Sequence, residues 1–339
     1  MNIIHPDQDA WLAQVPETAI DIEQEIIDPH HHLWPDVMGH VYNVDELAVD
    51  TNAGHKVIGT VFMECGTCYR EDGPEHEKSL GETEYVMAQA ERINALNLGA
   101  PILGMVGHVE LNEPTVDDAL DAHVDLAGDF FKGIRHAGAS TPPADAEVML
   151  IPGPAPADLY QQPLFVKGVQ RLGARGMSYD TWQYHFQLPA YIELARSCPD
   201  TVMVLDHFST PLGVGSFTGK RDEIFAQWLE HMKTLSACPN VHLKLGGLAM
   251  PDNGYGWHDG ERPPSSDELV ELQGDWYRAA LDQFGVERCM FESNFPVDRL
   301  SLSYVVYYNA MKKLVAGAST SEKDALFKDN AARVYRLEL

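Results

Sequence analysis

The chain has 339 residues, 45% apolar and 22% charged, a globular composition that excludes a largely disordered chain. With 24 Lys and Arg against 51 Asp and Glu the formal net charge is −27, which excludes a general attraction for nucleic acid or an anionic membrane. No apolar run approaches the roughly 20 residues that span a bilayer, the start has no basic-then-apolar leader, and five scattered cysteines (65, 68, 198, 238, 289) point to a cytoplasmic, reducing compartment.

Residues 1–24 read as an N-terminal extension. Beyond it, short apolar runs alternate with stretches of helix formers. Glu25-Ile26-Ile27-Asp28 is the first run and residues 57–64 the second, followed by a predicted helix over 82–97. The third run, 102–109, precedes a helix at 116–127; the fourth, 130–135, precedes one at 159–172. A weaker fifth run, 176–180, leads to 189–198, and the sixth, 202–206, to 221–237. The seventh, 241–245, precedes 268–284, and the eighth, 289–292, precedes helices at 303–315 and 321–336. Each run is short and apolar enough to be buried on both faces. Eight strand-then-helix units predict an α/β fold, a single-domain (β/α)₈ TIM barrel over residues 25–339, with an open doubly wound sheet as the alternative. Two Pro/Gly-rich stretches, 139–157 and 250–266, follow the fourth and seventh strands, where a barrel carries its active-face loops.

Polar residues collect where these strands end. The first runs into His30-His31-His32. Strand side chains alternate faces, so His30 and His32 point the same way and form half of a candidate metal site, while His31 faces the other layer. His207 follows the sixth strand as a third imidazole. Glu64 ends the second strand, Arg135-His136 the fourth and Asp180 the fifth, with Trp182 and His185 beyond; Lys244 lies in the seventh. The eighth ends Phe291-Glu292-Ser293-Asn294-Phe295-Pro296-Val297-Asp298. Burying so many acids, bases and cations without use is costly.

The string Ile27-Asp28-Pro29-His30-His31-His32-Leu33-Trp34 resembles the opening signature of the amidohydrolase superfamily. It is closest to the amidohydrolase-2 branch, which holds L-fuconolactonase-like and pyrone-dicarboxylate lactonase-like enzymes. Lys132-Gly133-Ile134-Arg135-His136, Leu205-Asp206-His207, Ser293-Asn294-Phe295-Pro296 and the ending Asn330 to Leu337 are similar to further family motifs. The resemblance implies a (β/α)₈ barrel and hydrolysis of a lactone or related ester, here of a small anionic sugar acid or aromatic-catabolic compound. It implies metal ligands at His30, His32 and His207, with zinc the first candidate, although some lactonases of the branch work without metal. The family's eighth-strand aspartate falls on Asn294, and an amide cannot take up a proton as a carboxylate does.

On this reading His207, Asn294 and Asp298 form the catalytic set. Asp298 is the expected base, with Glu64 and Glu292 in reserve and capping of a helix near Leu300 as its ordinary alternative. Arg135 is expected to grip a carboxylate or oxyanion, joined by His136, Glu64, Asp180, Lys244, Trp182, His185 and Tyr255 around the substrate. A nonoxidative decarboxylase and a non-catalytic binding protein are the alternatives. The expected partner is a small molecule, with a homo-oligomer left open. Cys65-Gly66-Thr67-Cys68 has no second pair to make a zinc site, and residues 213–220 lack the first glycine of a phosphate loop.

Overall fold

The computed structural model describes residues 7–37 and 40–339. Eight parallel strands, β1 (Glu25–His31), β2 (Lys56–Met63), β3 (Ile102–Gly107), β4 (Phe131–Arg135), β5 (Ser178–Thr181), β6 (Val202–Leu205), β7 (Val241–Leu245) and β8 (Cys289–Phe291), follow one another around one sheet in chain order. This is the (β/α)₈ barrel, with helices between the strands. The ring closes just beyond the three-residue β8. There, His31 bridges to Phe295, the His32 N–H donates to the Phe295 carbonyl at 2.7 Å, and the Asn294 N–H donates to the His30 carbonyl at 3.0 Å. Closure by this turn sets residues 292–294 against the histidines that end β1.

Both faces of the sheet are buried, which is why the strands read as apolar runs. The inner layer, Ile27, Val61, Met63, Val106, Val204 and Met290, packs against Val334 and Tyr335. The outer layer joins the strands to the helices. Local sequence starts several helices: Ser265, Ser303 and Ser319 each accept a hydrogen bond from a backbone N–H in the first turn of the helix that follows.

Two features go beyond the sequence reading. A helix, Val44–Thr51, lies between β1 and β2, and an antiparallel ribbon pairs Trp34–Val37 with His40–Tyr42. Both are too short for periodicity to mark them. The expected final helix, 321–336, is three pieces, with a π-helical turn at Ala325–Asp329 between α-helical turns.

The stretch after β4 forms a strap over the barrel mouth. Asp252, from the loop after β7, accepts hydrogen bonds from the Leu150 and Ile151 N–H groups at 2.7 and 2.9 Å. The Gly153 N–H donates to the Thr141 and Tyr184 hydroxyls at 2.7 and 2.8 Å. The rest of the loop after β7 turns toward the N-terminal segment, where the Trp11 indole donates to the Gly260 carbonyl at 3.1 Å. No helix of the described residues is long and apolar enough to cross a membrane.

Candidate functional site

A cavity of about 750 Å³ opens at the C-terminal ends of the strands, the face where barrels of this kind carry their sites. Its floor holds His32, His207, Arg135, Glu64 and Asn294.

His30 and His32 project inward from the end of β1, as the two-residue strand period requires. Their Nε2 atoms face each other at 3.3 Å. The His32 Nδ1–H donates to the Met63 carbonyl at 2.8 Å, which leaves its Nε2 as a lone pair. His31 points away, packs against Phe62 and is pushed down to about 4 by burial.

His207 sits in an unusual backbone segment. Residues 207 to 210 all have positive φ (54°, 56°, 60° and 37°) without a glycine, a conformation costing about 1–2 kcal/mol per residue. Three hydrogen bonds over-determine it: Trp228 Nε1 to the Phe208 carbonyl at 2.8 Å, Gln183 Nε2 to Ser209 Oγ at 3.0 Å, and Trp182 Nε1 to Thr210 Oγ1 at 3.1 Å. Strain held in this way is characteristic of functional segments. It brings His207 to 4.6 Å from His30, centroid to centroid.

Glu292 joins the two rings. Its Oε1 lies 2.7 Å from His207 Nδ1 and its Oε2 lies 2.7 Å from His30 Nδ1. Asp28 fixes the turn that carries it by accepting the Ser293 N–H at 2.9 Å. Burial, then nearby Lys244, holds His30 well below the usual imidazole range, and burial holds His207 at about 3. Burial pushes Glu292 up to about 8 against the pull of Lys244.

Asp206 was passed over as a site residue in the sequence, yet it lies at the centre of the cluster. Its oxygens are 3.3 Å from Lys244 Nζ, 3.6 Å from Arg135 Nη1 and 3.8 Å from His30 Nδ1, but neither accepts a hydrogen bond. Burial raises its carboxyl to about 6, with Lys244 opposing. A carboxylate placed directly before a strand-end histidine is the signal that could have found it.

The Arg135 fork is already engaged. Its Nε donates to Glu64 Oε1 at 2.6 Å and its Nη2 to the Glu64 carbonyl, while Nη1 is 3.4 Å from His30 Nε2. The bidentate grip on substrate expected from the sequence is therefore made to Glu64. Lys244 and Asp180 form a fully buried pair at 3.0 Å, with Tyr335 as a second donor to Asp180, below the cavity floor. Trp182 and His136 line the cavity. His185 and Tyr255 do not: His185 accepts the Leu212 N–H at 3.3 Å, and Tyr255 carries the Arg221 guanidinium 3.7 Å above its ring.

Asp298 does not face the cavity either. It lies behind Asn294, accepting from Asn294 Nδ2 at 3.1 Å and from the Ala249 N–H at 3.3 Å. Nor does it cap the next helix, which Ser303 caps. His108, Glu110 and Asn112 line the cavity wall and were missed by the sequence reading; they come from the loop after β3, where no motif marks them. The imidazole of His108, half-buried but facing Glu110 at 3.3 Å, is held up at about 9.

The donor set suits a divalent ion. His30, His207 and Glu292 bring ligand atoms within 4.8 Å of one another. Two imidazole nitrogens on a tetrahedral zinc at about 2.0–2.1 Å stand roughly 3.3–3.4 Å apart, which matches the 3.3 Å between His30 and His32 Nε2. Four carboxylates (Glu64, Asp180, Asp206, Glu292) meet two cations (Arg135, Lys244) here, an excess of two negative charges when all are ionised.

A family model described as Amidohydrolase matches residues 27–337. An uncharacterized protein, y4mH, of Sinorhizobium fredii is 32% identical over 92% of this chain and 98% of its own. An L-fucono-1,5-lactonase of Burkholderia multivorans is 28% identical over 77% of this chain and 83% of its own. Among solved structures, an amidohydrolase from Burkholderia multivorans with bound zinc superposes with a TM-score of 0.70 at 23% identity, covering 92% of this chain and 99% of that one.

Proposed function

The chain belongs to the amidohydrolase family, and on that premise we propose that it is a hydrolase that opens a lactone ring by attack of water at the histidine-lined cavity floor. The carrying observation is the facing His30 and His32 Nε2 pair beside two buried carboxylates, Asp206 and Glu292, with oxygens that accept no hydrogen bond. The lactonase named among the relatives supports the reaction class, and the zinc in a structural neighbour supports the ion.

His30, His32 and His207 would hold the ion, which when bound supplies polarisation of a carbonyl and a more acidic water. The protein's own groups do the rest. Glu292 keeps the His30 and His207 rings oriented through their Nδ1 atoms, as carboxylates behind metal-binding imidazoles do. Arg135 Nη1, held by the Glu64 salt bridge, faces the reaction centre and stabilises the oxyanion that forms as water adds to the carbonyl carbon. Asp206, fully buried just behind the cavity lining and 3.8 Å from His30 Nδ1, takes the water's proton, because no donor occupies its oxygens and burial brings its acidity close to neutral pH. The ring C–O bond then breaks, and Asp206 passes the proton on to the departing alkoxide to leave a hydroxy acid. Asn294 lines the floor and takes no proton.

A panel of lactones followed with a pH indicator, with and without chelator, tests this reading. Acid release that stops on chelation and is lost on the order of 10²-fold or more in Asp206→Asn is expected. Release of carbon dioxide from carboxylated aromatics, with no lactone opened, would overturn it.

A further inference from the structure

The upper part of the cavity differs in character from its floor. The strap crosses it as Leu150-Ile151-Pro152-Gly153-Pro154-Ala155-Pro156, and three prolines in seven residues remove three backbone donors. Of the four N–H groups that remain, those of Leu150 and Ile151 are taken by Asp252, Gly153 by Thr141 and Tyr184, and Ala155 by the Ala139 carbonyl. Trp34, Trp182, Met250, Val297 and Leu300 continue the apolar lining.

Most of the polar wall is already paired, with the Asn112 Oδ1, which accepts no hydrogen bond, the exception. His108 donates through Nδ1 to the Arg135 carbonyl at 3.1 Å and meets Glu110 through Nε2 at 3.3 Å. His136 Nδ1 accepts the Leu111 N–H at 3.2 Å, and Asn112 Nδ2 donates to Gln162 at 3.2 Å. Arg135 is the single lysine or arginine among the described lining residues, and Glu64 engages it; His108, the other cationic group of the wall, is paired with Glu110. Ring hydroxyls or a carboxylate bound under the strap would be desolvated with few partners, which is costly.

We infer that the substrate is an uncharged lactone whose ring carries an apolar alkyl or aryl substituent, seated under the proline-rich strap with its carbonyl on the histidine floor. This rests on the lactone-hydrolase reading, so binding and turnover are tested separately. Turnover is compared for δ-valerolactone, δ-decalactone, dihydrocoumarin and glucono-1,5-lactone. Binding is measured by calorimetry with the non-hydrolysable δ-lactams that match the unsubstituted, pentyl-substituted and polyhydroxylated rings. A buried methylene is worth about a fourfold gain. The pentyl substituent should therefore raise lactam affinity and kcat/KM at least tenfold over the bare ring. The polyhydroxylated ring should fall below both. Leu150→Asn should lower affinity for the pentyl lactam at least fivefold more than for the bare lactam. A polyhydroxylated ring that binds best, a pentyl group without effect, or no lactam bound at all overturns the inference. Pentyl-lactam binding without turnover of any lactone would instead overturn the hydrolase reading and leave the inference about the pocket standing.

Discussion

Glu292→Gln is the most discriminating perturbation of the site. In the wild type two oxygens of one buried carboxylate each lie 2.7 Å from a ring nitrogen, His30 Nδ1 and His207 Nδ1. Once ionised, as the charge of a bound divalent ion favours, the carboxylate can accept from both rings, so each can carry its proton on Nδ1 and keep Nε2 as a lone pair. A glutamine accepts at one end and donates at the other. Whichever way the amide turns, one ring must present a bare Nδ1 and move its proton to Nε2, the atom needed for the ion. If it is His30 that changes, its new Nε2–H points at His32 Nε2, 3.3 Å away, and the two close into a hydrogen bond. Loss of a partner behind a metal-binding imidazole commonly costs about 10–100-fold in metal affinity, or roughly 1.4–2.7 kcal/mol. Competition of zinc against a chelator of known affinity measures the change, and circular dichroism checks that the barrel persists. A folded Glu292→Gln protein that binds zinc as tightly as the wild type would refute the role given to this carboxylate.

Three further expectations come from particular contacts. Gly247 has φ +71°, and a Cβ there would meet His207 Nδ1 at 2.3 Å; Gly247→Ala should cost about 1 kcal/mol or more in strain and reduce kcat/KM at least tenfold by displacing His207, whereas an active, equally stable variant would show that His207 needs no fixed position. Asp298→Asn should keep most of the activity and lose about 1 kcal/mol, since Asp298 bonds Asn294 and Ala249 away from the cavity; a 10²-fold fall in kcat with unchanged stability would restore Asp298 as the base. Finally, burial raises Glu292 to about 8 in the folded chain, so its contribution is favourable below the ordinary glutamate range near 4.3 and is lost as pH rises from there through about 8. With chelator present, the Tm of the wild type minus that of Glu292→Gln should therefore fall between pH 5 and 8; a difference independent of pH would contradict the raised acidity constant.

The sequence by itself determined the architecture and part of the floor. Strands buried on both faces must be apolar along their whole length, so runs such as Val202 to Leu205 stand out against the amphipathic helices between them. The two-residue period placed His30 and His32 on one side of β1 and His31 on the other, because side-chain direction along a strand is a local property. Partnership is not local, and only the tertiary structure decided it. Arg135 and Glu64 look equally ready for substrate in the sequence, but the ends of β4 and β2, on either side of β3, bring them together across 71 residues, and each spends its charge on the other. Asp298 looks like a base and turns out to lie behind Asn294, while Glu292 and Asp206 become central once the turn after β8 closes the ring against β1. Which carboxylate meets which imidazole follows from where a closed barrel sets its strand ends, and that geometry exists only when all eight strands are in place.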